Sequence, residues 1–237
     1  GAGGAGVTGP WGHEAVRGGR RRDAGAPVGM VRDYVLENLA DPDAVLVVDE
    51  TGCLKQGKAS CGVGRQYTGS AGKITNCQIG VFATYASRHG HAFIDRRLYL
   101  PKAWTDDPAR MAAAHVPPGT VFATKPALAR QMIDRAIAAD VAFSWVAADT
   151  VYGVGDIEMG LRRAGKGYVL GVASSHHFGS WGDKPPVAGT AEDIAKGLDA
   201  STWKRLSAGD GTKGPRLHDW AYCELADLDD AEYNKDR

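Results

Sequence analysis

Long apolar runs are absent from this 237-residue sequence. No stretch approaches the ~20 residues needed to span a bilayer, and the N-terminal residues lack the apolar central region of a secretory signal. A cytoplasmic protein with no membrane partner is therefore expected. Cysteine is scarce. The four present, Cys53, Cys61, Cys77 and Cys223, show no C-x-x-C spacing of a zinc or redox pair, so reduced thiols are expected. Net charge is missing as well: Lys+Arg and Asp+Glu both total 28, which argues neither for nor against a polyanionic partner. Two nucleotide motifs fail. A phosphate loop ending at Gly72-Lys73 needs glycine at 67 and Ser or Thr at 74, where Tyr67 and Ile74 stand. Gly62-Val63-Gly64 lacks the third glycine of a dinucleotide fingerprint for the same reason.

What is present is an ordinary apolar content of 43%, enough for a buried core. Charge, balanced overall, is unevenly distributed. From Thr51 to Lys102 eight cations face only Asp95, a local charge of +7, whereas residues 219–237 carry seven acids against Lys235 and Arg237. The basic stretch reads either as a polyanion-facing surface or as a solvated face balanced elsewhere in the fold.

Residues 1–29 hold ten glycines and the run Arg20-Arg21-Arg22, so a disordered leader is expected there. Val31, Tyr34, Val35 and Leu39 recur at helical spacing, and Asp41-Pro42-Asp43 closes that helix. Residues 44–48 form a short β-branched run, read as a buried strand ending at Asp49 and followed by a turn. Residues 77–86 and 92–100 read as two further strands of an antiparallel meander. A helix follows Thr124-Pro126, with Leu128, Met132, Ile133, Ala136 and Ile137 as its apolar stripe. Then come a strand at 143–148 ending at Asp149, a helix at 157–164, and a strand at 167–173. Shorter strands are expected at 203–206 and 217–225. Ser174-Ser175-His176-His177 reads as a loop, because neighbours on an extended chain point to opposite faces. The order of elements gives an α/β fold with antiparallel and parallel strand pairs.

Asp49 and Asp149 share a setting: each ends a buried strand. Ligands of open α/β sheets bind at carboxyl ends of strands. Two close carboxylates repel unless protonated or bridged by a cation, and Mg²⁺ favours such oxygens. Strand-end aspartates also cap turns and helices, so the pattern leaves both readings open.

A series of blocks goes further: VVDETGCLKQG at 47–57, GVGRQYTG at 62–69, NCQIGV at 76–81, LYLPKAW at 98–104, FATKP at 122–126, ADTVYG at 148–153 and KGPRLHDWA at 213–221. In that order they resemble bacterial insertion-sequence transposases of the DDE superfamily (DDE superfamily endonucleases), over residues 31 to 225. The resemblance implies an RNase H-like mixed sheet with flanking helices, followed by the start of a strand-rich insertion. It implies Asp49 and Asp149 as the first two catalytic and metal-binding acids, two Mg²⁺ (or Mn²⁺) ions, and DNA as partner, both transposon ends and target. A homodimer of the full-length protein and a bacterial, nucleoid-associated location go with it. Lys55, Arg65 and Lys73 are expected phosphate contacts from charge and placement. The expected division is a leader at 1–29, a partial core at 30–173 and the start of the insertion at 174–237. The family's third acid is a Glu on a helix beyond that insertion, and Glu192, Glu224 and Glu232 stand in the wrong context to replace it. A truncated chain, inactive alone, is the expectation. The alternatives are a DNA-binding remnant and a non-transposase nuclease of the same fold class.

Overall fold

A computed structural model of the chain describes residues 25–178, 188–211 and 214–223. Most of the expected leader lies outside these residues. The first helix, α1, occupies Gly25–Leu39 and so begins ahead of Met30.

The strands that follow are β1 (Val45–Leu54), β2 (Gly64–Thr68), β3 (Lys73–Ser87) and β4 (Gly90–Leu98). Three helices come next, α2 (Lys102–Thr105), α3 (Pro108–Ala113) and α4 (Lys125–Ala138). Then β5 (Trp145–Ala148), α5 (Gly155–Arg163) and β6 (Gly167–Leu170) complete a six-stranded sheet. Its order is β2-β3-β1-β5-β6, with β4 also paired to β3. The β1–β3 pair is antiparallel, and β1–β5 and β5–β6 are parallel. The sheet is mixed, as the sequence of elements implied.

β1 does not end at Asp49. All ten of its residues pair with β3, from Val45 opposite Ala86 to Leu54 opposite Cys77. The turn expected at Asp49-Glu50-Thr51-Gly52 is therefore strand. The long β3 satisfies the backbone groups there, and that outweighs the weak strand preference of glycine. Gly52 is needed for another reason: a Cβ on it would lie 2.0 Å from Oγ1 of the buried Thr68. β2, α2 and α3 had no expected counterpart. The two short helices serve a small second core in which Trp104 packs with Val63 and Met111 and donates from Nε1 to the Val63 carbonyl at 2.7 Å.

The main core lies on one face of the sheet. Alternate residues of β1 (Leu46, Val48) and β3 (Val81, Ala83, Tyr85) point into it. Val35 of α1, Met132 and Ile133 of α4, and Ile157 and Leu161 of α5 cover them. α4 starts where the sequence places it: the Thr124 side chain accepts from the Ala127 N–H, and proline stands in the first turn. Acids in the first turn of α5 and arginines in its last suit the helix dipole. On the opposite face Phe93, Trp145 and Val169 are 60%, 48% and 65% exposed.

A polar lock fixes the start of β1. The Tyr85 hydroxyl accepts from the Asp41 N–H at 2.9 Å and lies 2.7 Å from the Ala142 carbonyl, just ahead of β5. Arg88 donates to both Asp41 carboxylate oxygens, at 2.6 and 3.1 Å.

Beyond β6 lie β7 (His177–Phe178) paired with β8 (Gly189–Thr190), α6 (Ala191–Gly197), and a hairpin of β9 (Lys204–Gly211) and β10 (Gly214–Trp220). The hairpin overlaps the two expected strands, but β9 begins one residue later, at Lys204, and runs on to Gly211, and β10 ends at Trp220, short of the expected 225. Arg205 and Asp219 bridge it at 2.7 Å.

Two outcomes are expected. Met132→Ala, at a fully buried site, should destabilise the fold by about 2–5 kcal/mol in chemical denaturation. Separately, the hydrogen bonds from Arg88, then that from the Asp43 N–H, hold Asp41 at about 2 against an ordinary 3.8. A depressed folded pKa stabilises fully above the unfolded value and loses that contribution as pH falls through the folded one. Circular dichroism between pH 4 and pH 2 should therefore show Arg88→Met unfolding at a higher pH than wild type.

Candidate metal centre

Parallel pairing sets Val47 beside Ala147 and Val48 beside Ala148. The next residue on each chain is an aspartate. Asp49 continues along β1, while Asp149 leaves β5 into a turn whose Val151 N–H donates to its Oδ1 at 2.9 Å. Neighbouring strands lie ~4.8 Å apart, so the two side chains meet. Asp49, Glu50 and Asp149 each offer a carboxylate oxygen within 4.8 Å of the others, a set that could hold a metal ion.

Burial is the largest cause pushing the Asp49 carboxyl above its ordinary range. A hydrogen bond from the Glu50 N–H opposes it, and the charges of Asp149 and Glu50 add to it. Unbridged, the pair is electrostatically unfavourable, which fits a place for a cation. Hard carboxylate oxygens suit a divalent ion of the Mg²⁺ type.

Glu50 was not among the residues singled out from sequence. Strand alternation sends it to the core face while Asp49 looks the other way. There Lys125 Nζ, at the start of α4, donates to its Oε1, and the Tyr152 hydroxyl donates to its Oε2, both at 2.5 Å. Tyr152 is fully buried. Burial first, then its bond to Glu50, push its phenol far above the ordinary range, so it stays a proton donor. The available signal was indirect: Lys125 and Tyr152 lie in the FATKP and ADTVYG blocks.

Asp49 opens onto a depression of about 530 Å³ lined by Val47, Thr51, Phe82, Thr84 and Phe93, with Arg88 and His91 toward the β3–β4 turn. The three expected phosphate contacts are not all on this side. Arg65 opposes Asn76 on β3, an even number of residues from Phe82, and Phe82 pairs with Asp49. Arg65 thus shares the Asp49 face. Lys55 follows β1, its N–H bound to the Asn76 carbonyl at 3.0 Å. Lys73 pairs with Thr68 and belongs to the opposite face. The +7 stretch is also partly neutralised: Asp41 and Asp43 engage Arg88. Among the described residues, Cys53, Cys61 and Cys77 form no disulfide.

A mixed sheet with flanking helices and carboxylates gathered where parallel strands end defines a protein of the RNase H-like class. Residues 13–215 match the family described as DDE superfamily endonuclease, and the chain belongs to that family. It is 27% identical over 178 residues to a protein of Microchaete diplosiphon described as a probable transposase for insertion sequence element IS701. That alignment covers 72% of this chain and 40% of the relative, so the chain spans well under half of that protein's length. Among the described residues no helix is long and apolar enough to cross a membrane.

Relieving the carboxylate repulsion should stabilise the metal-free protein. Asp149→Asn, which keeps an acceptor for the Val151 N–H, should raise the melting temperature in chelator by roughly 2 °C. A fall of the same size in scanning fluorimetry would contradict the repulsion.

Proposed function

We propose that this chain is the two-aspartate part of a transposase core, with Asp49 and Asp149 as the acids that hold a divalent cation at a DNA phosphodiester. The observation that carries the reading is the meeting of these two carboxylates at neighbouring parallel strands. Mg²⁺, or Mn²⁺ in its place, suits the donor set, and two ions belong to the complete family site. Bound there, such ions supply activation of water and stabilisation of the leaving oxygen. The chain's own residues do the rest. Asp49 sets the cation position from within β1, and Asp149 from the turn that follows β5. Lys55 and Arg65 meet DNA phosphates, and Lys73 reaches them from the other side of the β2–β3 hairpin. DNA, at transposon ends and at the target, is the partner, in the cytoplasm at the nucleoid, and the full-length protein works as a homodimer.

Glu50 is already engaged by the side chains of Lys125 and Tyr152, whereas Asp49 and Asp149 each accept from a backbone N–H, of Glu50 and of Val151. That observation favours a second element of the proposal: the chain alone binds metal and DNA but does not transfer strands. The proposed units are the RNase H-like core to residue 173 and a strand-rich insertion beginning at 174.

Supercoiled plasmid incubated with the chain and Mn²⁺ should yield no strand-transfer product, and any nicking should vanish in Asp49→Asn. Nicking that persists in that variant sinks the site assignment. DNA affinity should fall as salt rises, and Arg65→Ala should lower the slope of log K against log salt by about 1. A slope indifferent to both Arg65 and Lys55 would remove them from the DNA surface.

A further inference from the structure

We propose that Glu50 is a positioning residue rather than a third metal ligand: clamped between Lys125 and Tyr152, its carboxylate fixes the spacing of Asp49 and Asp149. This rests on the reading of those two aspartates as the cation site. Glu50 stands next to Asp49 in β1 but faces the core, so it reports on what lies beneath the site. Each of its oxygens has a separate partner. Oε1 takes the ammonium of Lys125, at the first residues of α4. Oε2 takes the hydroxyl of Tyr152, three residues past Asp149.

The second contact matters most for geometry. Asp149 has left β5, so no strand ladder holds it. Its turn is closed by the Tyr152 N–H on the Asp149 carbonyl at 3.1 Å and by the Val151 N–H on its side chain. The turn is in turn anchored by the fully buried Tyr152 ring, and the only polar atom of that side chain ends on Glu50. A Cβ on the next residue, Gly153, would lie 1.9 Å from the Gly171 carbonyl oxygen, so the turn is also pressed against the chain beyond β6. Glu50 therefore joins β1, α4 and the Asp149 turn at one carboxylate. A negative charge with both oxygens bound to donors, one of them cationic, is a poorer ligand than its exposed neighbour. Groups that orient ligands from behind in this way are worth about 10–100-fold in metal affinity when removed.

The test measures Mn²⁺ affinity of the purified chain by electron paramagnetic resonance, with thermal melts alongside. The variants are Asp49→Asn, Glu50→Gln, Tyr152→Phe and Lys125→Met. Asp49→Asn should abolish binding. Glu50→Gln and Tyr152→Phe should each weaken it about tenfold at temperatures where both remain folded. Tyr152→Phe is decisive because it leaves the Glu50 carboxylate in place. Glu50→Gln abolishing binding while Tyr152→Phe leaves it unchanged would make Glu50 a ligand and overturn the proposal. Unchanged affinity in Glu50→Gln, Tyr152→Phe and Lys125→Met would overturn it too. Failure of the underlying site looks different: wild type then binds no Mn²⁺, or binds it equally well as Asp49→Asn. Should Glu50→Gln not fold, Tyr152→Phe and Lys125→Met decide the matter.

Discussion

Backbone hydrogen bonding between β1 and β5 places Val48 beside Ala148, and the aspartates that follow inherit that adjacency. Parallel pairing is what makes the site, because it brings two residues one hundred positions apart to the same end of the sheet. It also imposes a cost. Two carboxylates so close disfavour each other's charge, and burial makes the ionised form of Asp49 harder to hold. The rest of the local structure answers that constraint. Lys125 brings a positive charge beneath the site, and Tyr152 brings a donor that burial keeps protonated.

The fold supports this arrangement from behind. β3 is the spine of the sheet: it pairs with β1 along one edge and with β2 and β4 along the other. Its length carries β1 past Asp49, so the first aspartate sits within a strand while the second sits at a strand end. The two acids therefore differ in kind. Asp49 is held by the β1–β3 ladder, opposite Phe82, Asp149 by a turn and by the side chain of Tyr152. The core under them is one continuous cluster from α1 to α5, and the tyrosine lock at Asp41 and Ala142 ties together the beginnings of β1 and β5. Distances at the acidic end are thus set by packing at both ends of the same two strands.

Charge told less than geometry. The basic stretch from Thr51 to Lys102 is real, yet its members spread over both faces of the sheet and into ion pairs. Arg88 serves Asp41, and Arg97 donates to Gln131 of α4 at 2.7 Å. Arg65 shares the face of Asp49 and Lys73 does not, a distinction set by strand register and invisible to a count of charges.

The sequence by itself determined the local pieces: the stripe and cap of α4, the buried runs of β1 and β5, and the two aspartates that directly follow those runs within an ordered series of family blocks. These are legible because periodicity, capping and turn chemistry act over a few residues. β2 was not legible, since only Tyr67 and Thr68 in its five residues favour a strand and its partner lies elsewhere. Nor was the continuation of β1, because Thr51-Gly52 reads as a turn until Thr68 is found against Gly52. Glu50 is the clearest case. Alternation alone points it away from the site, and only tertiary structure brings Lys125 and Tyr152, 75 and 102 residues later, onto its two oxygens. Contacts of that kind carry no local signature, because their geometry is set by how the helices and strands pack and not by the residues on either side.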